Sequence, residues 1–319
     1  MQRIACALRP GRAWPLSTRA GASSKICNAP SWTPGAASRC RGRRRDLRGD
    51  IRMATALPLV ARDDLADYVR AMEEDGYAYF PGVLDTDEIA ALREAMDKLT
   101  AIEESYDRHT DPAQHGFMNK SINNAFNRDS HFVQYLDRPE IIDLIEAVHG
   151  ADCHCIGMTA WMTGHGRPEQ TLHADWQPLT LPAEVMENPE VKIPIFITTA
   201  HYYLDDLSEE LGPTKFVPGS HRAGRRPREG ETSFKGVEEQ SIMCRAGDCV
   251  VFRCEVWHRG TANTSGRTRY LLQVHYAQRI ITQKYPPYLN KFQFDEKILA
   301  QATPRQLRLM GDHVPSNYD

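Results

Sequence analysis

Residues 250–277 read VVFRCEVWHRGTANTSGRTRYLLQVHYA. Two apolar runs rich in β-formers flank the turn signal NTSG, which predicts two strands joined across a turn. His258 closes the first strand and Arg269, eleven residues on, lies in the second. The same texture extends back to residue 151: CHCIGMTAWMT, VKIPIFITTAHYYL, TKFVP and QSIMC, punctuated by GHGRPE, LGP, PGSH and RAGD. Many short strands with such punctuation predict an antiparallel sandwich or barrel.

Before residue 150 the period is helical. RDDLADYVRAMEED (62–75) has apolar residues at Leu65, Tyr68, Val69 and Met72 and stops at Gly76. GYAYFPGVL then reads as a short strand and turn. Asp85 or Thr86 caps a second helix through Leu99, and a third runs from Pro139 to Val148 before Gly150. Residues 103–131, including FMNKSINNAF, read as polar and irregular. Helical character returns near Pro304–Met310. The expected fold is mainly β with flanking helices, in a single domain over 53–319. Its helical part covers 62–150, its β core about 151–280, and a tail with a short helix follows.

The charge is divided along the chain. Residues 1–52 carry twelve Lys/Arg against two Asp/Glu, whereas the remainder carries 27 against 40. So acidic a body argues against binding nucleic acid through the folded surface. The basic leader resembles a transit peptide in composition, a disordered tail or an upstream-start extension, and is set outside the fold. No apolar run approaches a membrane span. Five cysteines lie beyond the leader with no CxxC pair, which fits a reducing compartment, taken as the cytoplasm unless the leader directs the chain to an organelle. Cys153-His154-Cys155 would split its side chains over two faces of a strand and reads as core packing.

TLHADW (171–176) supplies the chemistry. In an extended strand His173 and Asp175 point to one face. With His258 they make two imidazoles and one carboxylate, which leave three positions open on an Fe(II) ion for a bidentate co-substrate and O₂. Zinc tolerates the same ligands, but no Glu-x-x-His device for hydrolysis is present. A 2-oxo dicarboxylate chelating iron leaves a far carboxylate, which a guanidinium can hold through two hydrogen bonds. Arg267 and Arg269 share a face, and Arg269 lies deeper.

These features resemble the phytanoyl-CoA dioxygenase family of Fe(II)/2-oxoglutarate-dependent oxygenases over residues 62–319. The matching motifs are HADW, LDDLSEELGPTKFVPGSH (204–221) and WHRGTANTSGRTR (257–269). The resemblance implies a double-stranded β-helix, or cupin-like jelly roll. It also implies Fe(II), 2-oxoglutarate and O₂ as cofactors, with Arg269 as the 2-oxoglutarate arginine. It brings in Lys120 as a second co-substrate contact and places His201, where relatives often carry tryptophan, on the cavity wall. A carboxylate at Asp175 argues for oxygenation rather than halogenation.

Trp176 and Trp257 are expected to wall the site, and Arg222, Arg225, Arg226 and Arg228 to lie near its mouth. The expected function is oxidation, most simply hydroxylation, of a C–H bond in a small-molecule substrate with release of succinate and CO₂. The alternatives are a non-catalytic jelly-roll binding protein and a cupin-type hydrolase or isomerase.

Overall fold

The last strand, Arg269–Ala277, sets the frame because its two faces meet different surroundings. Leu272, Val274 and Tyr276 point outward and are fully buried against helices. Arg269, Leu271 and Gln273 alternate with them and line an inner cavity. The computed structural model describes residues 56–102, 107–110, 112–284 and 295–313.

Twelve strands form among the described residues. They are β1 (Tyr77–Phe80), β2 (Arg108–Thr110), β3 (Asn119–Asn123), β4 (His154–Thr163), β5 (Ile197–Tyr203) and β6 (Thr214–Phe216). The rest are β7 (Ser233–Phe234), β8 (Val237–Glu238), β9 (Gln240–Ser241), β10 (Cys249–Arg253), β11 (His258–Gly260) and β12 (Arg269–Ala277).

A large antiparallel sheet runs β1-β10-β5-β12-β4-β3-β2 and a small one runs β11-β6-β9. β7 and β8 form a separate hairpin. An isolated antiparallel bridge, His173 to His258, docks the HADW segment beside β11. The chain therefore winds from β4 in the large sheet to His173 in the small, back to β5, across to β6 and β9, back to β10, across to β11 and back to β12. That winding is a double-stranded β-helix.

Two layers of core follow from the alternation. Tyr77, Tyr203, Phe216, Val250, Phe252 and Leu271 pack inside the barrel. Outside the large sheet, Leu92, Met96, Ile141 and Ile145 from two helices pack with Ala200, Tyr202, Val251 and Leu272. Each such fully buried aliphatic side chain contributes about 1.5–3 kcal/mol. The helix Thr86–Leu99 starts at Asp85, whose carboxylate accepts from Glu88 N at 2.8 Å while Asp85 N donates to the Glu88 carboxylate at 3.0 Å.

Residues 107–110 and 112–131 correct the reading of this stretch as irregular, and 103–106 and 111 lie outside the described residues. β2 and β3 extend the large sheet, with β3 in register on β4 from Asn119↔Thr163 to Asn123↔Thr159. The inward residues Ser121 and Asn123 line the cavity, so this strand carries polar side chains where the others carry apolar ones.

Candidate metal centre

The site is held first by backbone. His173 N donates to His258 O at 2.9 Å and His258 N to His173 O at 2.8 Å, and Asp175 N donates to Cys254 O at 3.1 Å. The two imidazoles lie 4.5 Å apart, centroid to centroid. Each Nδ1–H donates to a backbone carbonyl, Thr171 O at 2.8 Å for His173 and Val256 O at 2.9 Å for His258. Both Nε2 lone pairs are thereby left facing the Asp175 carboxylate, at 3.8 and 3.9 Å. Those separations are too long for hydrogen bonds.

All three donor atoms lie within 4.8 Å of one another, close enough to share one ion. Two imidazole nitrogens and a carboxylate oxygen suit a divalent transition metal with open positions. Burial pushes the His258 pKa down, keeping the ring neutral. Burial pushes the Asp175 carboxyl up, but His258, Lys284 and His173 outweigh it and bring the pKa below its usual value. Neutral imidazole and ionised carboxylate are the forms that bind metal.

The cavity beside the triad has a volume of about 710 Å³. Arg269 is buried in its wall, and its Nε and Nη1 have no hydrogen-bond partner among the described residues. A buried guanidinium left in that condition fits an incoming carboxylate. Arg267, by contrast, is exposed. Arg167, which sequence reasoning missed, also lines the wall and donates to Gly260 O at 3.3 Å. Burial, and then the charge of Arg269, pull its pKa down to about 10.

His201 lines the same cavity. Trp161 Nε1 donates to Gln273 Oε1 at 2.6 Å, Gln273 Nε2 donates to His201 Nε2 at 3.0 Å, and His201 Nδ1 meets Tyr203 Oη at 3.4 Å. Both ring nitrogens are engaged by protein, which leaves neither for a metal.

Two expectations are corrected. Lys120 lies between Ser121 and Asn119 on β3 and does not line the cavity; the strand's alternation turns it to the face opposite Ser121 and Asn123. Trp176 lines the cavity, but Trp257 is fully buried behind it, packed with Ala174, Val217 and Phe234. Of the arginines expected near the mouth, Arg226 donates to Asp175 O, Arg225 pairs with Glu231 and Arg222 donates to the carbonyls of Met186, Asn188 and Val191. Sequence reasoning also missed Arg108 and Lys284, which line the cavity as well. Lys284 lies in aperiodic chain beyond β12, where no pattern marks a residue.

The sequence pattern of the phytanoyl-CoA dioxygenase family, PhyH, matches residues 72–271. The chain belongs to that family. Its members use Fe(II), 2-oxoglutarate and O₂. Among curated relatives, Dioxygenase FUM3 of Gibberella moniliformis is 24% identical over 239 residues, covering 70% of this chain and 73% of that protein. Two solved structures share the fold at a TM-score of 0.53 each. One is the epimerase SnoN with Fe3+, alpha ketoglutarate and nogalamycin RO, at 20% identity over 67% of this chain and 84% of that one. The other is the carbocyclase SnoK from nogalamycin biosynthesis, at 22% identity over 79% and 93%. No helix among the described residues is long and apolar enough to cross a membrane.

Proposed function

We propose that this chain is an Fe(II)- and 2-oxoglutarate-dependent dioxygenase that oxidises a C–H bond of a small organic molecule, most simply by hydroxylation. The observation that carries the reading is a single cavity that joins three convergent donors to a buried guanidinium with two unsatisfied nitrogens. His173, Asp175 and His258 hold the metal, and Arg269 pairs with the distal carboxylate of 2-oxoglutarate. When bound, the iron and its co-substrate supply O₂ activation coupled to decarboxylation, with succinate and CO₂ as by-products.

The protein's own part is orientation and dryness. The Nδ1–H bonds to Thr171 and Val256 fix both imidazoles in the ligating tautomer. Phe252, edge-on to His258 at 5.1 Å, and Trp176 keep water from two sides of the triad. The chain Trp161–Gln273–His201–Tyr203 stiffens the wall opposite.

SnoN and SnoK, an epimerase and a carbocyclase by name, show that this fold carries outcomes other than hydroxylation, so the product depends on which C–H bond lies nearest. The test is anaerobic addition of Fe(II) and then 2-oxoglutarate to the purified chain. A weak visible charge-transfer band is expected, followed under air by succinate release that requires both. Absence of band and succinate would leave a binding protein, and turnover without O₂ or 2-oxoglutarate a cupin-type hydrolase or isomerase.

A further inference from the structure

Arg167 and Arg269 line one cavity, and neither forms an ion pair among the described residues. Arg269 is buried with Nε and Nη1 unsatisfied. Arg167 is 8% exposed, and its one hydrogen bond is the long contact from Nη1 to Gly260 O at 3.3 Å. The acids within reach are committed elsewhere. Asp205, whose charge is felt at Arg269, is paired through Oδ1 with Arg93 at 3.0 Å, and its Oδ2 accepts from Tyr270 N at 2.8 Å. Of the carboxylates lining the cavity, Asp107 is bound through both oxygens by Arg128 at 2.6 and 2.7 Å, and Asp175 belongs to the triad.

Both guanidiniums are nevertheless charged. Burial, and then the charge of Arg269, bring the Arg167 pKa down only to about 10, so it keeps its proton at neutral pH. Two buried like charges with no anion between them are costly, and the cost is relieved when one arrives.

The backbone holds the pair in place. Asn263 N donates to Arg167 O at 3.0 Å, while its Nδ2 donates to Thr163 O and to Arg267 O, both at 2.9 Å. Thr163 is the register partner of Arg269, so one buried asparagine ties the chain beneath Arg167 to the strand ends that carry Arg269. Gln170 N donates to Gly260 O at 2.8 Å and Gly260 N returns a bond to Gln170 Oε1 at 2.8 Å, which lays the same segment along β11. Gly260 also makes room for the guanidinium: an added Cβ would lie 3.3 Å from Arg167 Nη1 and 3.0 Å from Gln170 Oε1. It follows His258 by one same-face step, about 7 Å along β11, so Arg167 enters the cavity beside the triad.

We infer that Arg167 is a second carboxylate anchor, so that the distal carboxylate of 2-oxoglutarate is gripped by two guanidiniums, one from β12 and one from the segment before HADW. The inference rests on the proposed function and adds a co-substrate contact to the same cavity. A carboxylate has about four lone-pair sites, enough to accept from both forks at once. A 2-oxo acid with an uncharged tail forfeits both contacts and leaves both cations buried without an anion, so the pair selects 2-oxo diacids.

The test compares 2-oxoglutarate with 2-oxopentanoate, which keeps the 2-oxo acid end and has a methyl group in place of the distal carboxylate. Binding to the full chain loaded with Ni(II) is measured by calorimetry, and no turnover is required. The wild-type chain should prefer 2-oxoglutarate by about a hundredfold or more, each guanidinium contributing about tenfold. Arg167→Met should cut that preference about tenfold and leave 2-oxopentanoate binding unchanged, while Arg167→Lys, which keeps a charge without the fork, should retain more of it. The ligand-free melting temperature of Arg167→Met should be no lower than that of the wild type, because the substitution removes a buried unpaired charge. A merely structural arginine would give the reverse, a lowered melting temperature with the preference intact.

A preference undiminished in Arg167→Met but lost in Arg269→Met overturns this inference alone, since the co-substrate is then held by Arg269. A wild-type chain with no preference for 2-oxoglutarate overturns the proposed function and this inference with it.

Discussion

His173 and His258 are mutual backbone partners, each N–H donating to the other's carbonyl at 2.9 and 2.8 Å. A narrow antiparallel bridge thus sets the spacing of two candidate ligands that are distant in sequence, and the main chain holds it. Asp175 then closes the triangle from two residues along the same segment.

From that arrangement, Asp175→Ala should remove the metal without unfolding the protein. The two rings keep their carbonyl bonds to Thr171 and Val256. Loss of groups that only orient ligands already costs about 10–100-fold in affinity or activity, so loss of a ligand should exceed about a hundredfold. Succinate release measures this. Added Ni(II) should raise the melting temperature of the wild-type chain but not of the variant. Turnover retained in Asp175→Ala would remove the carboxylate from the site.

Arg269 carries an opposite pair of effects. Its guanidinium is buried with two unsatisfied nitrogens, so the free protein bears a desolvation penalty that a carboxylate relieves. Arg269→Met should leave the apo protein as stable as before, or more so, while raising the 2-oxoglutarate KM by about 30-fold or more. Arg267 is exposed, and Arg267→Ala should change that KM by less than about twofold. Melting curves with and without 2-oxoglutarate, beside KM measurements, separate the two. A larger KM effect at Arg267 would reverse the assignment.

The legibility of this site in the sequence follows its mechanics. His173, Asp175, His258 and Arg269 lie on or beside regular strands, where the two-residue period tells which side chains share a face. The same rule groups Gln273 and His275 with Arg269, although neither was singled out. β3 carries no such mark, because NKSIN presents Ser121 and Asn123 to a polar cavity and the hydrophobic alternation of a strand is missing. The facing of Lys120 is illegible for the same reason, since without a recognisable strand no period assigns it a side. Lys284 reaches the cavity through tertiary packing of an aperiodic segment, and local sequence holds no trace of that.

Gly212 joins the LGP turn to the loop after β11. It adopts φ +76°, and an added Cβ would lie 2.7 Å from Thr261 O and 2.8 Å from Ala262 O. Left-handed backbone costs an L-residue roughly 1–2 kcal/mol, and two backbone oxygens cannot retreat as a flexible side chain could. Gly212→Ala should destabilise by about 2 kcal/mol or more, lowering Tm by roughly 4–8 °C. Calorimetry measures this, and an unchanged Tm would show that the turn accepts a side chain.

Acid should weaken the fold through its buried histidines, and His149 provides the clearest case. Burial pushes its pKa from 6.5 down to about 4, against the smaller opposing effect of its bond to Ile195 O. Nδ1 contacts Ile195 O at 3.1 Å and Nε2 contacts Thr198 Oγ1 at 2.9 Å, an arrangement that a neutral ring satisfies. Between pH 6.5 and about 4 the unfolded chain therefore binds a proton at this residue that the native chain refuses, and stability falls as pH falls through that window. The full displacement corresponds to roughly 3 kcal/mol, and the slope from this one group to about 1.4 kcal/mol per pH unit. Urea unfolding at a series of pH values should show wild-type stability declining below about pH 6.5, with His149→Gln declining less steeply by about that slope. Parallel curves for the two proteins would mean that His149 accepts its proton in the folded state as readily as in the unfolded one.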